Sequence, residues 1–310
     1  MEEAKPAAPL VTVVIVSRNQ APFLRRCLQA LESSHSRENF DIVVVDNGSQ
    51  DESPGLDVEF PAPRFLRLPR NFGFVKALNI GLRSVTAELA FILSPEIEVR
   101  PDTINLLASR MESQPEAVAI CPLLLGPDGS PTSQTGPLPC PAALRSSWET
   151  LDQPAGPSVD LTQDLAPAGC ASLAAMMIRT YFVKGLRYLD ERFGEYGPEP
   201  ELALQIARAS RRIYAATQAR AVRAPKEAAA LPAPSTRALL VADRAQGTAV
   251  LLGKHFGSAA GLGFRARVVA ATAANALLSL VTFRDTAYRW KLLSLLLSGQ
   301  KIDGSQRDSE

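Results

Sequence analysis

The sequence has few of the side chains that hold zinc or close disulfides. Its 310 residues include two histidines and four cysteines, which are Cys27, Cys121, Cys140 and Cys170. No two of the cysteines have the C-x-x-C spacing of a zinc site or a redox pair. This scarcity argues against a zinc site and a disulfide scaffold, and it favours a reducing cytoplasm.

The sequence also has no excess of charge of either sign. It carries 33 basic and 32 acidic side chains, so no global field is available to attract a polyanion. We therefore expect no nucleic-acid partner, and recognition of any ligand must be local.

Long hydrophobic runs are absent as well. The longest uncharged stretch, from Val268 to Phe283, is shorter than the roughly 20 apolar residues that a membrane span needs. The opening "MEEAKPAAPL" is acidic and rich in proline and alanine, unlike a signal peptide. The sequence predicts a cytoplasmic protein, either soluble or peripheral on the inner face of the cell membrane.

What the sequence does contain is an alternation of buried strands and amphipathic helices. "VTVVIVS" (11–17) and "FDIVVVDNGS" (40–49) are apolar runs typical of parallel strands, and helical spacing lies between them. Strands at 63–69 and 87–94, with a helix after Gly73, continue the pattern. The sequence predicts an α/β fold with a doubly wound, mixed but mostly parallel sheet.

Polar side chains follow three of these strands. They form the groups Ser17-Arg18-Asn19, Asp46-Asn47-Gly48-Ser49 and Ser94-Pro95-Glu96, with Glu98 two residues further on. Ligands of such sheets bind at the carboxyl ends of the strands, and carboxylates there suit a hard divalent cation that bridges diphosphate oxygens. Each group taken singly is also explained by turn chemistry or by a solvated strand end.

Four segments in order, "VTVVIVSRN", "VVVDNGSQD", "NFGFVKALNIG" and "FILSPEIEV", resemble the family 2 inverting GT-A glycosyltransferases, especially the rhamnosyltransferase-like branch. A later segment, "LDERFGEYGPEPELALQIARASRRIYAATQARAVR", is similar to the family's acidic helix region. The resemblance covers most of residues 11–223. It implies a GT-A fold and transfer of a hexose or deoxyhexose, with inversion, from a nucleoside diphosphate sugar to a hydroxyl of a polysaccharide or lipid-linked glycan.

The resemblance also implies roles for individual residues. Glu96, with Glu98 as a weaker candidate, would assist a divalent cation (Mg²⁺ or Mn²⁺), and Glu199 would be the general base, with Glu201 as its nearest rival. The nucleotide sugar would be bound by Ser17, Arg18, Asn19, Asp46, Asn47, Asn71, Gly73, Phe74 and Asn79.

The chain departs from the family's pattern at the residues that would bind the metal and act as the base. Glu96 replaces an aspartate, Glu199 and Glu201 lie in "GPEPE" where the family has Gly-Glu-Asp-x-Asp, and no histidine follows the last strand. We regard His35 and His255 as surface or packing residues. A catalytically impaired nucleotide-binding or assembly protein is therefore the alternative, and basic side chains (Arg18, Arg70, Lys76) could stabilise a diphosphate instead. A dinucleotide-binding oxidoreductase domain is more remote, because the G-x-G-x-x-G turn is missing.

The predicted organisation has five parts. A disordered tail (1–10) precedes the GT-A-like domain (11–226), an Ala/Pro linker (227–236), a helical tail (237–299) and a disordered end (300–310). Within the domain, residues 131–167 have no readable pattern. The helical tail has arginines around an apolar helix and the aromatic residues Tyr288 and Trp290 near its end, so it either binds a membrane surface or packs on the core.

Overall fold

The structure of the chain is a computed structural model. It describes residues 10–35, 37–146, 148, 160–194, 196–225, 234–282 and 285–299. Residues 1–9 of the predicted disordered tail (1–10), residues 227–233 of the predicted linker (227–236) and the predicted disordered end (300–310) lie outside these residues.

The strands and helices follow the predicted alternation through the first hundred residues. Among the described residues, the strands are β1 (Val11–Ser17), β2 (Phe40–Asp46), β3 (Arg64–Arg67), β4 (Leu89–Leu93), β5 (Ile97–Val99), β6 (Ala117–Leu125), β7 (Thr135–Gly136), β8 (Leu165–Ala168), β9 (Cys170–Ala171), β10 (Ala175–Arg179) and β11 (Arg212–Arg223). The helices are α1 (Ala21–Glu32), α2 (Leu56–Glu59), α3 (Phe74–Arg83), α4 (Thr103–Ser113), α5 (Pro141–Ser146), α6 (Thr180–Gly185), α7 (Pro198–Arg208), α8 (Pro234–Phe256), α9 (Ser258–Thr282) and α10 (Thr286–Ser298).

The main sheet is mixed but mostly parallel in its first half, as predicted. Its order is β3-β2-β1-β4-β10-β6-β11-β5, with β8 also paired to β11. Strands β3, β2, β1 and β4 run parallel, whereas β10 is antiparallel to both β4 and β6. The carboxyl ends of β1 to β4 therefore meet at one edge, and this edge carries the polar groups singled out in the sequence.

The sheet is covered on both faces, which explains the continuous apolar runs. Val13 and Ile15 of β1 belong to the cluster that contains Leu24 and Leu28 of α1. Val14, between them, belongs to the cluster with Leu78 of α3. Alternate side chains of a strand point to opposite faces, so a strand with helices on both sides needs apolar residues at every position.

Two features beyond the parallel core shape the far side of the site. After β4 the chain turns at Ser94–Glu96 and forms the short strand β5, which pairs antiparallel with the end of β11 at Ala221–Arg223. Strand β11 has an irregularity between Ala216 and Arg220 in its pairing with β6. These features bring the last residues of β11 next to the Glu96 turn.

The three C-terminal helices form a unit that packs on the domain. α8 begins at Pro234, three residues before the predicted start of the tail, and its Leu239 and Val241 share a buried cluster with Phe193 and Leu204. Among the described residues, no helix combines the length and hydropathy needed to cross a membrane.

Candidate active site

The loops after β2 and β3 are held together by asparagine side chains. Asn47 Nδ2 donates to Asn71 Oδ1 at 3.0 Å, and Asn47 Oδ1 accepts the Phe72 N–H at 2.9 Å. Asn71 Oδ1 also accepts the Gly73 N–H at 2.9 Å. The predicted residues Asn47, Asn71 and Gly73 are thus brought together at the carboxyl edge of the sheet.

Two glycines allow this close approach. Gly48 has φ +74°, and a Cβ placed on it would lie 2.5 Å from the carbonyl carbon of Arg70. Gly73 has φ +81° and immediately precedes α3. A side chain at either position would strain the backbone, so both glycines belong to the geometry of the loop pair.

The ends of β1 and β2 lie side by side in register. Ser17 pairs with Asp46, and the buried Ser17 Oγ makes no hydrogen bond to any residue that the structure describes. Asp46 Oδ1 accepts the Ser49 N–H at 3.2 Å, and Asn19 Oδ1 accepts the Gln50 N–H at 2.8 Å. Ser17 and Asp46 are thus held side by side at the ends of neighbouring strands, and nucleotide contact by them stays a prediction.

Asp51 is a structural member of this turn that we did not single out from the sequence. Its Oδ2 accepts the Ala21 N–H at 2.9 Å, which anchors the start of α1. Burial alone would raise the pKa of Asp51, but hydrogen bonds from Ala21 and Ser53 outweigh it and lower the pKa below its ordinary value. In the sequence, Asp51 could have been recognised as the final aspartate of "DNGSQD".

Two of the basic residues named from the sequence share one aromatic ring. The Arg70 guanidinium lies 5.2 Å and the Lys76 ammonium 4.7 Å from the centre of the Phe72 ring. Cation–π contacts of this kind hold a charge over the ring face. Positive charge is therefore concentrated on the loop that joins β3 to α3 and on the first turn of α3.

Asn79 and Phe74 lie on the side of α3 that faces the interior of the domain. Asn79 is buried, and its amide exchanges hydrogen bonds with the backbone of Leu189 at 2.9 and 3.0 Å and reaches Glu191 Oε1 at 3.1 Å. Phe74 packs against the buried cluster of α3. Asn79 therefore fixes the 189–191 loop to α3, and ligand contact by these two residues stays a prediction.

The two glutamates after β4 each face an arginine. Glu96 Oε1 lies 3.6 Å from Nε of Arg223, and both side chains are mostly buried, with exposures of 15% and 24%. Glu98 Oε1 lies 3.4 Å from Nε of Arg26 on α1. The two glutamates thus belong to separate ion pairs, Glu96 with Arg223 of β11 and Glu98 with Arg26 of α1.

The two candidate bases of α7 have different surroundings. Gly197, with φ +114°, precedes the helix, and the partly exposed Glu199 lies near Cys170, whose pKa is raised to about 12 by burial and, secondarily, by the Glu199 charge. Glu201 is buried, and its Oε1 lies 2.6 Å from Lys254 Nζ and 3.3 Å from His255 Nε2. Glu201 is therefore part of a structural ion cluster.

A short segment connects the Glu96 turn to the start of α7. Ser94 N–H donates to the Ala174 carbonyl at 2.7 Å, and α7 packs against β9, which contains Cys170. The segment 170–174 therefore contacts both the turn that precedes Glu96 and the helix that carries Glu199. The roles of Glu96 and Glu199 stay predictions.

The donor set does not form a metal cage. No group of three His, Cys, Asp or Glu side chains that could hold a metal occurs within the described parts of the chain. Glu96, the candidate ligand, already faces a guanidinium. Because the Arg223 guanidinium repels a cation, Glu96 with this partner does not fit a divalent cation held by the protein alone.

Comparison with known proteins agrees with this geometry. The family model described as "Glycosyl transferase family 2" matches residues 12–174 of this chain. The chain is 25% identical over 224 residues to the N-acetylglucosaminyl-diphospho-decaprenol L-rhamnosyltransferase of Mycobacterium tuberculosis, covering 64% of this chain and 71% of that protein.

Solved structures share the fold at lower identity. GalNAc-T7 with UDP, GalNAc and Mn²⁺ superposes with a TM-score of 0.58 and 15% identity, covering 79% of this chain, which spans only 51% of that one. The mannosyltransferase PcManGT of Pyrobaculum calidifontis, with GDP-Man and Mn²⁺, has a TM-score of 0.53 and 17% identity, covering 95% of this chain and 86% of that one.

The sheet order and the likeness to these solved structures define the GT-A fold. The chain belongs to glycosyl transferase family 2. The resemblance inferred from the four sequence segments is thereby confirmed.

Proposed function

We propose that the protein transfers a sugar from a nucleoside diphosphate sugar to a hydroxyl group of a polysaccharide or lipid-linked glycan, with inversion. The observation that carries this proposal is the interlocked loop edge, where the Asn47–Asn71 hydrogen bond joins the loops after β2 and β3 beside the paired ends of β1 and β2. The nucleotide would bind there, with its diphosphate toward the Glu96 turn.

Glu199 is the side chain we assign as general base. It stands in the first turn of α7 and is partly exposed, so an acceptor hydroxyl can approach it. Glu201 is 5% exposed and its oxygen contacts Lys254, His255 and Gln205. A base must come within hydrogen-bond reach of the proton it removes, and Glu201 is too enclosed to do so.

The acceptor class is supported by the relative from Mycobacterium tuberculosis, whose name specifies a decaprenol-linked sugar. A lipid-linked acceptor lies at a membrane surface, so the protein must reach that surface. The sugar transferred is proposed only as a hexose or deoxyhexose, in line with the rhamnosyltransferase name of the same relative.

Nucleotide binding tests the proposal. We expect one of UDP, dTDP and GDP to bind the full-length protein with a stoichiometry of one in calorimetric titrations, each run with and without Mn²⁺. The matching nucleoside monophosphate, which lacks the second phosphate, is the control and should bind more weakly. Absence of binding by all three would contradict the proposal, whereas binding without sugar transfer to any acceptor would support the impaired, nucleotide-binding alternative.

The outward face of α9 is the surface we assign to the membrane. One face of α9 packs inward through residues such as Phe264 and Val268, and the other exposes Leu262, Leu277, Leu278 and Leu280. The helix has no acidic residue, and Arg265 and Arg267 are exposed on it. An apolar face with cations beside it suits an anionic lipid surface.

We expect Leu277→Glu to weaken binding to phosphatidylglycerol vesicles at least about tenfold in sedimentation assays, because it replaces an exposed leucine that would enter the lipid with a negative charge. Val58→Glu is the matched control: Val58 is 86% exposed on α2, against 60% for Leu277. Equal sedimentation of the two variants would argue against this surface.

A further inference from the structure

Arg223 is the last residue of β11 and faces the carboxylate that the family resemblance assigns to a metal. Its Nε lies 3.6 Å from Glu96 Oε1. The backbone holds the two residues together, because Arg223 pairs with Ile97 of β5 and the Ala224 N–H donates to the Glu96 carbonyl at 2.8 Å. The contact is therefore fixed by strand pairing on both sides.

The Arg223 guanidinium has donor capacity to spare. Its Nε is buried and makes no hydrogen bond among the residues that the structure describes, since the approach to Glu96 is longer than a hydrogen bond. A guanidinium carries five N–H donors and no acceptor, in a planar arrangement that matches phosphate oxygens. The side chain is 24% exposed, so part of it can still meet a ligand.

A divalent cation at Glu96 would meet this arginine. Such a cation needs oxygen ligands, and here the carboxylate oxygen is shared with a positive group that repels a metal. Within the described residues no group of three His, Cys, Asp or Glu side chains offers an alternative metal site. The Arg223 guanidinium thus supplies beside Glu96 a fixed positive charge, where the family resemblance implies the charge of a bound cation.

We propose that Arg223 binds the diphosphate of the donor and neutralises the leaving group, so that donor binding does not require a divalent cation. The inference rests on the proposed function. In the transfer step, the acceptor oxygen forms a bond to the anomeric carbon as the bond to the diphosphate oxygen breaks. The electron pair leaves with the diphosphate, held by Arg223, and the acceptor proton passes to Glu199. Glu96 positions the guanidinium.

The test uses calorimetric titration of the full-length protein with UDP, dTDP and GDP, each in EDTA and in Mn²⁺. We expect the nucleotide that binds to do so with similar affinity in both conditions. Arg223→Gln should weaken this binding in EDTA roughly 10- to 100-fold, the range for losing a charge-assisted hydrogen bond in a partly buried site. Arg223→Lys, which keeps the charge, should restore part of the affinity.

Arg220→Gln is the matched control, because Arg220 is an exposed arginine three residues earlier on the same strand. It should bind nucleotide like the wild type. Binding that occurs only with Mn²⁺, together with unchanged affinity of Arg223→Gln, would overturn the inference and leave the proposed function standing. No binding of any of the three nucleotides in either condition would overturn both. Should Arg223→Gln fail to fold, the comparison of EDTA with Mn²⁺ and the Arg223→Lys variant still decide the matter.

Discussion

Replacing Glu199 with glutamine should reduce sugar transfer by about 10²- to 10⁴-fold, the usual contribution of a positioned general base, while nucleotide affinity stays nearly unchanged. Glutamine keeps the size of the side chain but cannot take up the proton of the acceptor hydroxyl. The first turn of α7 is defined by Gly197 and by helix hydrogen bonds of the backbone, so the fold should tolerate the change. Initial rates of transfer from a labelled donor and calorimetry with the nucleotide measure the two quantities.

Glu201→Gln separates the base from its neighbour. Because Glu201 is buried among Lys254, His255 and Gln205, its replacement should lower the melting temperature and affect transfer only through stability. Glu199→Asp, which retracts the carboxylate by one methylene, should retain more activity than Glu199→Gln. Full activity of Glu199→Gln would remove Glu199 from the mechanism, and loss of activity only in Glu201→Gln would exchange the two roles.

Most of the parallel half of the fold could be predicted, because local patterns determine it. β1 spans the predicted residues 11–17, and α1 and α3 lie where the apolar spacing places them. These elements bury side chains whose periodicity is visible along the chain. The short strand β5 was not predicted, since three residues after a Ser-Pro turn carry no periodicity.

The partners of the candidate site residues could not be predicted, because they come from distant parts of the chain. Glu96 meets Arg223 and Glu201 meets Lys254, and neither contact leaves a trace in local sequence. The missing histidine after the last strand was noted as a departure from the family's pattern. Arg223, at the end of β11, was not recognised as the neighbour of Glu96, because strand register is a property of the folded sheet.

The helical tail illustrates the same limit. Its helices were predicted as a separate segment, yet α8 contacts the loop before α7: Asp243 Oδ2 accepts the Tyr196 N–H at 3.0 Å. Lys254 joins Asp190 and Glu201 across the same boundary. Truncation after Pro234 would therefore uncover buried carboxylates of the domain, and point variants on α9 are the sharper test of membrane binding.

The Asp190–Lys254–Glu201 cluster should contribute strongly to stability. Lys254 Nζ lies 2.8 Å from Asp190 Oδ2 and 2.6 Å from Glu201 Oε1, and the Glu201 side chain is only 7% exposed. Removing one member of a buried ion pair leaves an uncompensated charge, which costs about 3–5 kcal/mol when both are fully buried. Because Lys254 is 28% exposed, we expect Lys254→Met to lower the free energy of unfolding by about 2–3 kcal/mol in urea titrations.

The effect should depend on pH in a defined direction. Burial alone would raise the pKa of Asp190, but hydrogen bonds from Arg192 and Lys254 lower it strongly. A carboxylate with a lowered folded pKa stabilises the fold above its unfolded pKa of about 4, and this contribution is lost as pH falls toward the folded value. The difference between wild type and Lys254→Met should therefore be largest near neutral pH and shrink in acid.

Arg83→Gln is the matched control for this cluster. Arg83 pairs with Glu191 at 3.2 Å, but the two side chains are 49% and 37% exposed, so the loss should stay below about 1 kcal/mol. Equal losses in Lys254→Met and Arg83→Gln would mean that the cluster is no stronger than a surface ion pair. A larger loss in Lys254→Met that disappears in a Glu201→Gln background would show that the buried carboxylate is what makes Lys254 necessary, and that the tail helices are part of the folded transferase domain.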